Sequence, residues 1–206
     1  MICAVVLGAG LSSRMGAQKL LLPFGGKTVI AHIVDQLFAS SVDHVYVVVG
    51  HQGRKVGEEL SGRKVTIVEN SAYESGMLSS VRCGLSHLPE NCSAILVALG
   101  DQPSITPQLV DKMLEAFAAT EKRILVPLYN GRRGHPLLIS KSYRDEVLTS
   151  FDDVGLRGLL HAHPEDVFEL TVSSSAVLSD MDCPEDYRRE LERIEEQTKK
   201  TPRSET

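Results

Sequence analysis

Two cations and two carboxylates carry most of the chemistry that this chain offers. Arg14 and Lys19 share the loop Leu7-Gly8-Ala9-Gly10-Leu11-Ser12-Ser13-Arg14-Met15-Gly16-Ala17-Gln18-Lys19. Gly8 and Gly10 permit tight turning and a close backbone approach. Backbone N–H groups in such a turn can cradle an anion. Together with Arg14 and Lys19 they suggest triphosphate binding, against a ligand-free glycine turn as the bland alternative. Asp101 follows an apolar run in Gly100-Asp101-Gln102-Pro103, and Asp182 lies in Asp180-Met181-Asp182-Cys183-Pro184. A carboxylate at a buried strand end can hold magnesium, which is commonly bound by one or two carboxylates plus substrate phosphates. The competing reading of Asp101 is a turn cap, and of Asp182 a helix cap. Asp180 competes with Asp182 for the metal.

Two familiar glycine motifs are excluded. A Walker A loop requires G-x-x-x-x-G-K-[ST]; here Met15 and Ala17 break it. A dinucleotide fingerprint requires G-x-G-x-x-G, and position 13 is Ser.

Further polar groups follow other strands. Asn70 to Gly84 (NSAYESGMLSSVRCG) contains Gly76, Ser79 and Ser80 near a helix start. These could meet a ribose or base, or simply cap the helix. Arg132, Arg133 and His135 fall in the turn-rich Gly131-Arg-Arg-Gly-His-Pro136. They suit a phosphorylated acceptor, or a solvated turn. His51, His161 and His163 are read as surface residues without supporting partners.

The elements that must position these groups alternate along the chain. Strands are expected at Ile2 to Leu7, His44 to Val49, Val65 to Val68, Ala94 to Leu99, Ile124 to Pro127, Pro136 to Ile139, Val167 to Val172 and Val177 to Met181. Helices are expected over Thr28 to Ser40, 54–60, 79–88, from Thr106-Pro107 onward, 141–149, 155–161 and from Pro184. Val110, Met113, Leu114 and Phe117 mark the buried face of the helix that Thr106 caps. This alternation predicts an α/β fold with a mostly parallel central sheet flanked by helices on both faces. Ligands in such folds sit at the carboxyl ends of the strands. A single domain is expected over 1–196, with a disordered polar tail over 197–206.

The whole chain sets further bounds. It has 206 residues, 42% hydrophobic and 24% charged. That balance is ordinary for a soluble globular protein. Its net charge of −5 gives no basic surplus for a general nucleic-acid binder. Cys3, Cys83, Cys92 and Cys183 show neither a C-x-x-C pair nor zinc spacing, which suits reduced thiols in the cytoplasm. No apolar run reaches the length of a membrane span.

Taken in order, LGAGLSSRMG..K, N..YESGMLSSVRCG, GDQP, GRRGHP and DMDCPEDY resemble the molybdenum-cofactor guanylyltransferase-like nucleotidyltransferases, over residues 1–190. The Ala in Leu7-Gly8-Ala9-Gly10 and the GMLSSVRCG and GHP segments resemble the cytidylyltransferase branch. The resemblance implies a Rossmann-like fold and transfer of CMP from CTP to molybdopterin-bound molybdenum. It implies that Leu7, Gly8, Ala9, Gly10, Ser12, Arg14, Lys19, Asn70, Gly76, Ser79 and Ser80 bind the nucleotide. Asp101 and Asp182 would hold Mg²⁺, with Arg14, Lys19 and Asp101 catalytic. Arg133 and His135 would meet the acceptor, and a molybdenum hydroxylase apoenzyme is the implied partner. Gly8 replaces an Ala common in relatives.

Overall fold

Residues of the first strand, β1 (Ile2–Gly8), alternate between two cores, as the two-residue period of a strand requires. Ala4 and Val6 join one buried cluster, and Cys3 and Val5 the other. A computed structural model describes residues 1–12 and 15–200, the side chains of 197–200 excepted. Ser13, Arg14 and positions 201–206 therefore lie outside the described residues.

After β1 come a two-residue ribbon, β2 (Pro23–Phe24) and β3 (Lys27–Thr28), and then α1 (Val29–Phe38). Thr28 caps α1 by accepting from the Ala31 N–H. β4 (His44–Val49), α2 (Gly53–Glu59), β5 (Val65–Glu69), α3 (Met77–Ser86) and β6 (Ala94–Leu99) follow. α4 (Pro107–Ala118) starts as expected, with the Thr106 hydroxyl accepting from Leu109 N–H. Its Val110, Met113 and Leu114 are buried and Phe117 packs beside them. Next are β7 (Ile124–Tyr129), β8 (Arg132–Arg133), β9 (Leu137–Ser140), α5 (Arg144–Thr149), α6 (Arg157–Ala162), β10 (Val167–Thr171) and α7 (Pro184–Lys200). The first four residues of the expected tail, 197–200, are the end of α7.

The main sheet runs β10-β7-β9-β6-β1-β4-β5, with β8 paired to β7. β1 is parallel to β4 and β6, β4 to β5, and β7 to β10. β9 is inserted antiparallel between β6 and β7. The sheet is thus mostly parallel, with one reversed strand near its middle. Helices α1 and α4 lie over one face and α3, α5 and α6 over the other. All six residues of β6 are buried, so this strand has no solvent-facing side. The chain builds outward from β1 through β4 to β5, then returns to lay β6 on the other side of β1. That reversal is a topological switch point, where a crevice opens beyond the strand ends.

One expected strand is absent. Residues 177–181 are apolar enough for a strand, yet Ser175–Leu178 forms a 3₁₀ turn. The Ser174 hydroxyl accepts from Ala176 N–H, and the Val177 carbonyl accepts from His135 N–H. With those groups committed, the segment joins no ladder. Val177 and Met181 remain fully buried, because the turn lies under the sheet end. Arg132 and Arg133 differ in the opposite sense, since the expected loop holds a strand. Asn130 and Gly131 have φ of 49° and 73°. They form the tight reversal between β7 and β8 that such positive angles favour.

Candidate active site

The glycine loop leaves β1 at the switch point. Its left-handed residues are Ser12 (φ 53°) and Gly16 (φ 67°), not Gly8 or Gly10. The turning expected of those two glycines is corrected accordingly. Gly8 ends β1, where a Cβ would lie 3.1 Å from both Leu20 Cδ1 and Val48 O. Among the described residues nothing lies within 4 Å of the place a Cβ on Gly10 would occupy.

Ser12 and Gln18 fix that loop. The Ser12 hydroxyl donates to Gln18 Oε1 at 2.8 Å and accepts from Lys19 N–H at 3.2 Å. Gln18 Nε2 donates to the His51 carbonyl at 2.9 Å. Gln18 is buried and was not singled out by sequence reasoning, since no motif or period marks it. The Ser12 hydroxyl, expected to meet the nucleotide, is engaged in shaping the loop.

Lys19 is the point where distant segments meet. Its Nζ lies 2.5 Å from Asp101 Oδ2, 3.4 Å from Asp182 Oδ1 and 3.1 Å from the Met181 carbonyl. Asp101 reaches this point because Gly100 follows β6. A Cβ on Gly100 would stand 2.8 Å from Leu7 O, closer than real contacts allow. The Met181 N–H donates to the Asp101 carbonyl at 3.0 Å and joins the segment before α7 to the end of β6.

From the first turn of α7, Asp186 Oδ2 reaches back to accept from the N–H groups of Asp182 and Cys183, each at 3.1 Å. The Cys183 thiol, followed by Arg189, holds the Asp186 carboxyl well below the usual carboxylate range. The Asp182 carboxylate turns to Lys19. Asp180 is held by Gln102, whose Nε2 donates to Oδ1 at 2.7 Å, and burial raises its pKa. The pair that converges on Lys19 is therefore Asp101 with Asp182.

This donor set suits a hard divalent cation, which prefers carboxylate oxygens. Two carboxylates supply oxygens around one point, beside a cleft of 460 Å³. Among the described residues no group of three or more His, Cys, Asp or Glu could hold a metal. A cation at Asp101 and Asp182 would complete its coordination from substrate and water.

The cleft is lined by Gly8, Ala9, Gly10, Ser12, Lys19, Gly76, Ser80, Asp101 and Asp182, with Leu7 and Asp180 at its boundary. Tyr73, Glu74 and Met77 line it too and were missed from sequence. Met77 is 58% exposed, a surface position that no burial pattern would single out. Asn70 and Ser79 do not line this cleft. The Asn70 amide donates to Ser79 Oγ at 2.9 Å and Ser80 Oγ at 3.0 Å, and accepts from Ala72 N–H at 2.9 Å. Ser79 Oγ donates to the carbonyls of Gly76 and Ala72. These two residues brace the turn before α3. Gly76 has a φ of 101°. Only glycine takes that backbone easily.

A second cavity of 560 Å³ adjoins the first, sharing Leu7, Met77, Leu99 and Asp180. Arg133 and His135 line it as expected, and so do Arg132, Arg157 and His161. His161 was read as a plain surface residue. His163 differs as well, its Nε2 lying 2.9 Å from Glu146 Oε2. Arg133 Nε is bound to Glu169 Oε1 at 2.7 Å. Burial depresses the His135 pKa, and its Nδ1 is buried with no hydrogen-bond partner among the described residues.

Lys19 and the paired carboxylates border one cleft, with a basic cavity alongside. Comparison with known proteins names the class of protein. Residues 4–167 match the model of the MobA-like NTP transferase domain, and the chain belongs to that family of nucleotidyltransferases. It is 26% identical to the molybdenum cofactor cytidylyltransferase of Escherichia coli K12, over 95% of this chain and 98% of that protein. It is 29% identical to nicotine blue oxidoreductase of Paenarthrobacter nicotinovorans, over 92% and 96%. Among solved structures it resembles Rv0371c of Mycobacterium tuberculosis H37Rv in complex with manganese, with 30% identity, a TM-score of 0.76, and coverage of 93% and 98%. Among the described residues no helix is long and apolar enough to cross a membrane.

Proposed function

We propose that this enzyme transfers CMP from CTP to the terminal phosphate of a molybdopterin-type molybdenum cofactor, using Mg²⁺ and releasing pyrophosphate. The observation that carries the reading is the convergence of Asp101 and Asp182 on Lys19 in the first cavity, which shares Asp180 with the adjoining second cavity. A cation there would meet a nucleotide in the first cavity, with an acceptor placed in the second. The similarity to an Escherichia coli cytidylyltransferase supports the choice of CTP, as does Ala9 by resemblance. A manganese complex of a similar protein suits a hard divalent ion. The product would pass to a molybdenum hydroxylase apoenzyme.

In this mechanism an oxygen of the acceptor's phosphate attacks the α-phosphorus of CTP. A new P–O bond forms, the α–β bridging bond breaks, and pyrophosphate leaves with the electron pair. The attacking phosphate is largely ionised at neutral pH, so no general base is assigned. Bound Mg²⁺ would neutralise charge on the α-phosphate and leaving group. Asp101 and Asp182 hold that position, and the Met181–Asp101 backbone bond keeps them in register. Lys19 and the loop N–H groups would face the charge that grows on pyrophosphate, the role that the resemblance also implies for Arg14. Gly10 leaves the loop backbone open to the phosphates. The rate gain is positioning and electrostatics.

The test is incubation with CTP or GTP, Mg²⁺ and molybdenum cofactor, followed by mass analysis. The expected product is the cytosine dinucleotide form with one pyrophosphate per adduct. A guanine adduct alone would overturn the base assignment. Adduct formation on a sugar phosphate but not on the molybdenum cofactor would overturn the acceptor.

A further inference from the structure

We infer that Arg157, and not Arg133, receives the acceptor's phosphate in the second cavity. The inference rests on the reading above that this cavity takes a phosphorylated acceptor. Arg133 is committed, since its Nε is bonded to Glu169 on the neighbouring strand β10. Arg157 forms no ion pair among the described residues and lines the cavity. A guanidinium without a carboxylate partner keeps its full fork of donors for a phosphate.

Arg132 lines the same cavity, also without an ion pair among the described residues, and is exposed as Arg157 is. It sits in the β7–β8 hairpin, in register with Tyr129, and what separates the two is their distance from His135. His135 lies within electrostatic reach of Asp180, Asp101 and Arg157. Arg157 thus shares a neighbour with the carboxylate end of the site, where attack on CTP is proposed. Its backbone is also anchored. A Cβ at Gly158 would lie 2.4 Å from Phe151 Cδ1, and Leu159 and Leu160 are buried. Around it, Met77, Val154 and Leu156 give the cavity an apolar wall, and Met77 and Val154 remain 58% and 55% exposed. The flat ring system of a molybdopterin-type cofactor would lie against that wall and present its phosphate to Arg157.

The test compares wild type with Arg157→Ala, Arg157→Lys, Arg133→Ala and Arg132→Ala. It measures equilibrium binding of molybdenum cofactor without CTP, and separate KM values for cofactor and CTP. Loss of a charged hydrogen-bond donor predicts ~10- to ~100-fold weaker cofactor binding for Arg157→Ala, with a matching rise in cofactor KM. The CTP KM should move less than about twofold and Arg157→Lys should recover part of the loss. With dephosphorylated cofactor the Arg157→Ala penalty should vanish. Unchanged binding in a folded Arg157→Ala, or a larger loss in Arg133→Ala or Arg132→Ala, overturns the inference. If wild type neither binds nor uses the molybdenum cofactor, the functional reading fails instead. The same variants on whichever phosphorylated acceptor wild type does use then decide Arg157.

Discussion

Replacing Asn70 with Ala separates support from ligand contact in the turn before α3. The side chain makes three hydrogen bonds, at 2.9, 3.0 and 2.9 Å, and the residue is only 5% exposed. At a net contribution of ~1 kcal/mol each, their removal costs about 3 kcal/mol. The cost is not spread evenly. Ser80 is buried, so its hydroxyl loses its donor without gaining water, whereas Ser79 faces a solvent-open hollow. For a chain of this size each kcal/mol lowers Tm by about 2–4 °C, which predicts a fall of about 6–12 °C. Thermal and urea unfolding measure it, with the urea midpoint shifting and the slope unchanged. Because Asn70 does not line the main cleft, kcat should largely survive while the CTP KM rises. A Tm loss below about 2 °C together with a collapse of kcat would refute the argument, and would put the amide on the nucleotide.

Asp101→Asn should cut pyrophosphate release by more than about 100-fold without lowering Tm, and Asp182→Asn should raise the Mg²⁺ concentration needed for half-maximal rate. A metal titration that is unchanged in both variants would remove them from the cation. Gly134→Ala should lower Tm by several degrees, because overpacking strains the fold. Its new Cβ would stand 2.2 Å from the Val177 carbonyl oxygen. A crystal structure of that variant with the loop unmoved would contradict the steric account. Asp35 accepts from Arg63 at 2.7 Å and from Lys27 at 2.6 Å, and the Arg63 hydrogen bond leads in holding its pKa below the usual 3.8. A depressed carboxyl stabilises the fold above its unfolded pKa and loses that contribution as pH falls through its folded value. Asp35→Asn should therefore lower Tm at pH 6, with the gap to wild type closing below about pH 3.8. A gap that stays constant down to pH 2.5 would show that the pair does not couple to folding.

Strand positions were legible wherever burial on both faces imposed an unbroken apolar run. His44–Val49 and Ala94–Leu99 fall where the sequence puts them, and Thr106 caps α4 as its position before Pro107 implies. The 177–181 segment misled because apolarity reports burial, not pairing. A serine hydroxyl and one carbonyl taken by His135 turned a buried run into a 3₁₀ turn. The place of β9 was not legible either, since the choice of partner strand is made by contacts remote in sequence. In the site, the pairing of Asp101 with a second carboxylate was foreseen. The part of Asp186, which reaches back from the first turn of α7 to the Asp182 and Cys183 N–H groups, was not. Lys19, 163 positions away, meets the Asp182 carboxylate. Gln18 stayed hidden for a related reason: its value lies in reaching the His51 carbonyl.

The backbone bond from Met181 to Asp101 has a consequence for how activity is acquired. One carboxylate belongs to the central sheet, and the other arrives with the segment that leads into α7. That helix docks through Tyr187, which bonds the Pro23 carbonyl at 2.5 Å, and through the fully buried Glu190, which accepts from the Ser104 hydroxyl. Closing contacts across more than a hundred and sixty positions is entropically slow, and the chain emerges from the ribosome from its N-terminus. The glycine loop and β1 can therefore form early, while the paired carboxylates assemble only when α7 is seated. On the metal role proposed for the two acids, a partly folded chain would keep Lys19 and the glycine loop while lacking the second carboxylate. Nucleotidyl transfer would then wait until the segment carrying Asp182 has found its place.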